Sequence, residues 1–282
     1  MNDSNNPSSN KRRYFLSFAD SRMAKSLQRI ACQAKKMNVF DEIYVWDETN
    51  LDEDFKNKWK HVLSRDVRGF GYWVWKPYSI LKVLNSMPEG STLLYCDAGS
   101  HLNSHGKKRL ERYYNALAED ELGIKAFPMN LLDDSLCLEK RWTKGDVFDH
   151  FACRDCEYVS DTAQYEAHTI FIRKCDASVN FIKEWYKIFE DNFSLIDDSE
   201  SKSANFPDFE RGLHDQSVFS VLFKIRSGVG FDKEDTLPYV FSNPIWALRD
   251  RNCDIPLRRR INKFLRFNKR YLIFKFRKLL KR

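Results

Sequence analysis

Short apolar runs alternate along this chain with stretches in which apolar residues return every three or four positions. RYFLSFA (13–19), VFDEIYVWD (39–47), STLLYC (91–96), GIKAFPM (123–129) and HTIFIRK (168–174) predict strands. Helical spacing predicts helices over 21–37, 51–65, 77–87, 107–118, 178–192 and 214–225, and CLEKRWTKGDVFDHF (137–151) reads as one more. Pro77 suits the first helical position, where it has no N–H to lose, and Met87-Pro88-Glu89-Gly90 ends that helix in a turn. The polar segment 196–208 predicts a mobile surface loop. Strands and helices alternating at this spacing imply an α/β fold, a mainly parallel sheet covered by helices on both faces. There is no internal repeat and no clean domain boundary before residue 249.

This arrangement draws attention to one stretch. GFGYWVWKPYSIL (69–81) leads through a tight turn to TLLYCDAG (92–99). A helix and the strand after such a turn run antiparallel, so the helix start and the strand end share one sheet edge. Lys76 and Asp97 are therefore expected to face one crevice, the usual ligand position of open α/β sheets. Asp97, followed by the small Ala98 and Gly99, suits a divalent cation or a ribose hydroxyl, and equally a turn cap. Lys76, near a helix N-terminus, suits a diphosphate. Trp73 and Trp75 read either as the wall of a sugar or base pocket or as core. At His214-Asp215-Gln216, Asp215 reads as a helix N-cap, or the three polar groups point together into a pocket. Cys153 and Cys156, with His150 nearby, have the spacing of half a zinc site but lack a second pair. No G-x-x-x-x-G-K-[ST], G-x-G-x-x-G or G-x-S-x-G is present, so kinase, dehydrogenase and hydrolase readings lose their main support.

Composition changes the picture mostly at the ends. With 43% hydrophobic and 15% aromatic residues, 282 positions suffice for a full core. Seven cysteines, an odd number without regular spacing, argue for reduced thiols. The polar residues 1–11 predict a disordered N-terminus with no secretory signal, and a cytoplasmic protein. The net charge of +7 is concentrated in residues 249–282, which hold 14 Lys or Arg against Asp250 and Asp254. Leu257, Ile261, Phe264, Leu265, Leu272, Phe276, Leu279 and Leu280 fall near one helical face of that tail. A basic amphipathic helix of this kind predicts binding to an anionic membrane surface through 256–282. A nucleic-acid arm would not need so many large apolar residues, and no nucleic-acid partner is expected.

GFGYWVWKPYSIL followed by LLYCDAG resembles bacterial glycosyltransferase-like proteins with the GT-A nucleotide-diphospho-sugar fold, often found among polysaccharide and lipopolysaccharide assembly proteins. EKRWTKGDVF (139–148) and HDQSVFSVLFK (214–224) look like later motifs of that group, so the resemblance touches about residues 12–245 and implies a catalytic domain over 12–248. It implies transfer of a sugar from a nucleotide donor, UDP-sugar favoured, to a hydroxyl of a glycan or lipid-linked acceptor at the cytoplasmic membrane face. It also implies a divalent cation, Mn²⁺ or Mg²⁺, on Asp97, which matches the first aspartate of a D-x-D motif. Gly99 stands where the second aspartate would be, which puts metal dependence in question and leaves Lys76 and Arg68 to neutralise the diphosphate. Phe18 and Asp20 look like the nucleotide-base contact, and Trp75, Gly99 and His214 complete the implied donor set. Asp215-Gln216 is similar to the Asp-Gln pair near the sugar in family-eight retaining galactosyltransferases, with Asp215 as base or positioning group. The missing aspartate also keeps open a non-catalytic scaffold of the same fold in surface-polysaccharide assembly.

Overall fold

A computed structural model describes residues 11–129, 136–233 and 235–251, together with Asn262 and Leu265. The chain runs through β1 (Arg13–Phe18), α1 (Ala24–Met37), β2 (Glu42–Trp46), α2 (Glu53–Trp59), α3 (Gly69–Tyr72), α4 (Trp75–Ser86), β3 (Thr92–Cys96) and β4 (His101–Leu102). There follow α5 (Lys107–Ala118), β5 (Ile124–Pro128), α6 (Glu139–Trp142), α7 (Gly145–His150), α8 (Glu157–Ser160), β6 (Tyr165–Arg173), α9 (Asp176–Asp191), α10 (Asp215–Ile225) and β7 (Ile245–Trp246). The membrane-tail expectation for 256–282 and the disorder expectation for the first ten residues lie outside the described residues.

The main sheet has the order β2-β1-β3-β6-β5. β1 pairs in parallel with β2 and β3, while β6 is antiparallel to both β3 and β5. Every strand of this sheet but β6 therefore points the same way, giving the mainly parallel α/β sheet flanked by helices that the patterning implies. Period-two alternation divides the core between the faces. Leu16, Tyr95 and Ile170 pack with Val83, Ile182 and Phe219 of α4, α9 and α10. Phe15, Leu94 and Phe171 pack on the other side with Ile30 of α1 and Leu110 and Leu117 of α5. Because both faces are covered, β3 reads as a continuous apolar run. The chain leaves β1 for β2 on one side and returns to β3 on the other. Such a switch point leaves a crevice outside the strand ends.

Several boundaries differ from the sequence reading. The charged stretch 51–65 is helical only over Glu53–Trp59, and α4 starts at Trp75, so Pro77 is its third residue, still in the turn whose N–H groups lack helical partners. The expected helix over 137–151 is broken at Thr143, which is extended. The break leaves Glu139 wholly buried, accepting from Thr143 (2.6 Å) and Gln164 (2.8 Å) and paired with Lys224 at 2.8 Å. Segment 196–208 is not a free loop, because its backbone and side chains cap α7. Asn205 Oδ1 accepts the Gly145 N–H at 2.8 Å, and Asp146 accepts the N–H groups of Lys202 (2.9 Å) and Ser203 (2.7 Å).

The two-residue strands β4 and β7 pair antiparallel and escaped the hydrophobic pattern by their shortness. They tie the C-terminal stretch across the edge of the main sheet. Asn103 Nδ2 donates to the carbonyls of Phe241 (2.8 Å) and Asn243 (2.9 Å), and the Asp250 N–H donates to Gly99 O at 3.0 Å.

Candidate active site

The approach to α4 is a left-handed turn. Gly69, Phe70, Gly71, Tyr72 and Trp73 all have positive φ, between 52° and 91°. Glycine adopts this region freely, whereas residues with a Cβ lose about 1–2 kcal/mol each there. At Gly69 a Cβ would also lie 2.5 Å from the Trp73 ring. The three strained residues are held by packing: Phe70 is 8% exposed, and the rings of Tyr72 and Trp73 each sit 5.4 Å from that of His214. This turn delivers Lys76 into the protein from the first turn of α4.

Lys76 meets three acceptors. Its ammonium lies 2.6 Å from Asp215 Oδ2 and 3.3 Å from Asp97 Oδ1, and donates to Ala167 O at 3.2 Å. Asp97 comes from the end of β3, Asp215 from the start of α10 and Ala167 from β6. The antiparallel course of β6 is what carries its first half to this edge. The lysine side chain is 3% exposed and that of Asp215 6%, while Asp97 keeps 32% of its side-chain surface. Burial alone would discharge Lys76, but the facing charges of Asp215 and Asp97 outweigh it and raise its pKa above the ordinary lysine value. Burial pushes the Asp215 carboxyl up to about 6 against the opposing pull of Lys76. Tyr95 Oη donates to Asp97 Oδ1 at 2.7 Å, fixing the carboxylate from behind. Lys76 thus donates to one backbone carbonyl and forms ion pairs with two carboxylates, which outnumber its single charge.

Gln216 is equally well anchored. Its Oε1 accepts the Ala167 N–H at 3.2 Å and its Nε2 donates to Gln164 Oε1 at 2.7 Å. The peptide of Ala167 is therefore gripped from both sides, by Gln216 and by Lys76. Gln164 in turn donates to the buried Glu139, so the Asp-Gln pair rests on the Glu139–Lys224 network.

The remaining candidates divide. Phe18 and Trp75 are 1% and 3% exposed and stack on each other with centroids 4.1 Å apart, so both lie in the apolar core. Asp20 caps the turn after β1, its Oδ1 accepting from the Arg22 backbone N–H and Nε, each at 3.0 Å. His214, not Asp215, occupies the cap position of α10. Its Nδ1–H donates to Ile196 O at 2.7 Å, and burial lowers its pKa, keeping the ring neutral. His214 lines a cavity of about 440 Å³ with Arg68, Lys144 and Asp198, and Arg68 lies 3.8 Å from Asp198.

The sequence reading missed Glu166 and His168, whose spacing of two on β6 was a usable signal for a shared face. His168 Nε2 lies 2.8 Å from Glu166 Oε2; burial opposes protonation, but the Glu166 charge prevails and raises the imidazole pKa. The His168 carbonyl accepts the Asp97 N–H at 2.9 Å.

A divalent cation does not fit this donor set. Asp97 Oδ1 is engaged by Tyr95 and faces Lys76, and no second carboxylate follows it. A Cβ at Gly99 would lie 3.2 Å from Arg249 Cα, tighter than ordinary contact, so the backbone of 249–250 would have to give by a few tenths of an ångström to admit a side chain there. Among the described residues, no three His, Cys, Asp or Glu side chains gather as metal ligands.

No family model and no curated protein matches the chain. Among solved structures it is similar to mouse xyloside xylosyltransferase 1 in its apo form, with 10% identity, a TM-score of 0.46 and coverage of 88% of this chain and 99% of that one. It is also similar to the galactosyltransferase LgtC in complex with donor and acceptor sugar analogues (16% identity, TM-score 0.43, 87% and 81% covered). A third similar structure is a glycosyltransferase involved in glycosylation of the major capsid of PBCV-1 (12% identity, TM-score 0.41, 80% and 83% covered). These are distant similarities, and no substrate or catalytic role passes through them to this chain.

Proposed function

We propose that the protein is a glycosyltransferase that moves a sugar from a nucleotide-diphosphate donor to a hydroxyl of a glycan or lipid-linked acceptor. The observation that carries this reading is the buried Lys76 joining Asp97 and Asp215 at the switch point of the sheet. The motif series of GFGYWVWKP, DAG and HDQ supports it, because the residues that bear the resemblance are the ones that meet there. Asp97, the more exposed carboxylate, is suited to accept hydrogen bonds from sugar hydroxyls. Asp215, with a carboxyl raised to about 6, has the proton affinity a general base needs near neutral pH. In the transfer, the acceptor oxygen bonds to the anomeric carbon and gives up its proton to the Asp215 carboxylate. The carbon–oxygen bond to the diphosphate breaks, and the nucleotide leaves with the electron pair.

The test is release of UDP or GDP from a panel of their sugar conjugates. A raised carboxyl pKa means Asp215 is protonated below about pH 6 and ionised above it. The kcat/KM is therefore expected to fall as pH drops through about 6, with one proton taken up, and Asp215→Asn to abolish that limb. Absence of binding and of turnover with every donor would favour the scaffold instead.

For the tail, the reading is an anionic membrane surface on the cytoplasmic side, where a lipid-linked acceptor would be presented. Among the described residues no helix is long and apolar enough to cross a membrane. The full chain is expected to float with phosphatidylglycerol vesicles, and a chain lacking 256–282 to stay behind. Equal flotation of the two would remove the tail from the proposal.

A further inference from the structure

Resting on the glycosyltransferase reading, we infer that this site binds the donor diphosphate without a divalent cation, and that Arg249 supplies the positive charge instead. Three observations converge on that residue. The backbone of Arg249 lies against Gly99, the place where a second metal-binding carboxylate would stand. The Asp250 N–H donates to Gly99 O at 3.0 Å, and His101 Nε2 lies 3.0 Å from Asp250 Oδ2, so the stretch is fastened to the strand end it covers. Arg249 itself is exposed and has φ 52°, a left-handed conformation that a side chain takes up only at a cost.

The charges around the crevice point the same way. Lys76 donates to Ala167 O and lies 2.6 Å and 3.3 Å from Asp215 and Asp97, so its single charge is already opposed by two carboxylates. With both carboxylates ionised, that cluster is net negative and needs a cation from elsewhere. Arg249 sits on the same edge, since its backbone borders Gly99, two residues after Asp97. A guanidinium presents a planar fork that matches phosphate oxygens bidentately. It also stays charged at any working pH, as a metal ion would.

The experiment uses the full chain, stripped with EDTA, and calorimetric titration with UDP and with GDP in EDTA and in Mn²⁺. One of the two nucleotides is expected to bind in EDTA with an affinity that Mn²⁺ changes by less than about threefold, well within the tenfold that 1.4 kcal/mol represents. Arg249→Ala is expected to weaken that binding by about 10- to 100-fold, the loss of a hydrogen bond to a charged group. Arg249→Gly should do the same while relieving the backbone, and Arg249→Lys should recover part of the affinity. Binding that appears only with Mn²⁺, and is indifferent to Arg249→Ala, would overturn the inference and leave the glycosyltransferase reading standing. No binding of either nucleotide in either condition would overturn both.

Discussion

A Lys76→Met variant is expected to lose about 3–5 kcal/mol of stability, the usual cost of removing one partner from a buried ion pair. Methionine fills much of the lysine volume, so the loss reports charge rather than packing. It would leave the buried Asp215 carboxylate facing Asp97 with no cation between them. The loss should be larger at pH 8 than at pH 5. Without the ammonium the Asp215 carboxyl moves still higher, takes up a proton in mild acid, and escapes the repulsion. A Lys76→Met/Asp215→Asn double variant should therefore recover part of the stability, and the non-additivity measures the coupling. Urea unfolding at the two pH values reads all of this. Equal stability of the single variant and the parent would mean that the three groups do not form a buried unit. Transfer should be lost in both variants.

Asp97→Asn is expected to behave oppositely, costing activity with little change in stability. The side chain keeps 32% of its surface, and Tyr95 Oη can donate to an amide oxygen as it does to the carboxylate. A stability change of about 1 kcal/mol or less is expected. Turnover should fall by about 10²–10³, the effect of deleting one preorganised electrostatic contact to a reacting group. Nucleotide release from the active donor, with the unfolding midpoint as control, checks it. Near-normal turnover in this variant would take the reaction away from Asp97.

The meeting of Lys76 and Asp97 was legible because it needs only a helix, a tight turn and a strand, all local features. What joins them to Asp215 was not. An apolar run does not record strand direction, so HTIFIRK could not reveal that β6 is reversed, and with it the delivery of Ala167 and His168 to the site. Gln164 and Glu139 escaped for a related reason. Apart from Thr143, their side-chain partners are distant in the chain, as with Ser220, 81 positions from Glu139, and nothing in their immediate neighbours marks them as buried. Gly69 and Gly71 could be read as unusual backbone positions, but the handedness of the turn depends on the aromatic rings that pack on it. Trp75 was ambiguous in the sequence because a pocket wall and a core are built from the same residues, and the resemblance gave Phe18 a base contact. Their mutual stacking decides for the core.

Within the left-handed stretch 69–73, Tyr72 and Trp73 hold positive φ against the ring of His214, the residue before Asp215. The stretch that aims the ammonium and the helix that carries its carboxylate are thus braced by one imidazole, and a change at His214 would reach both.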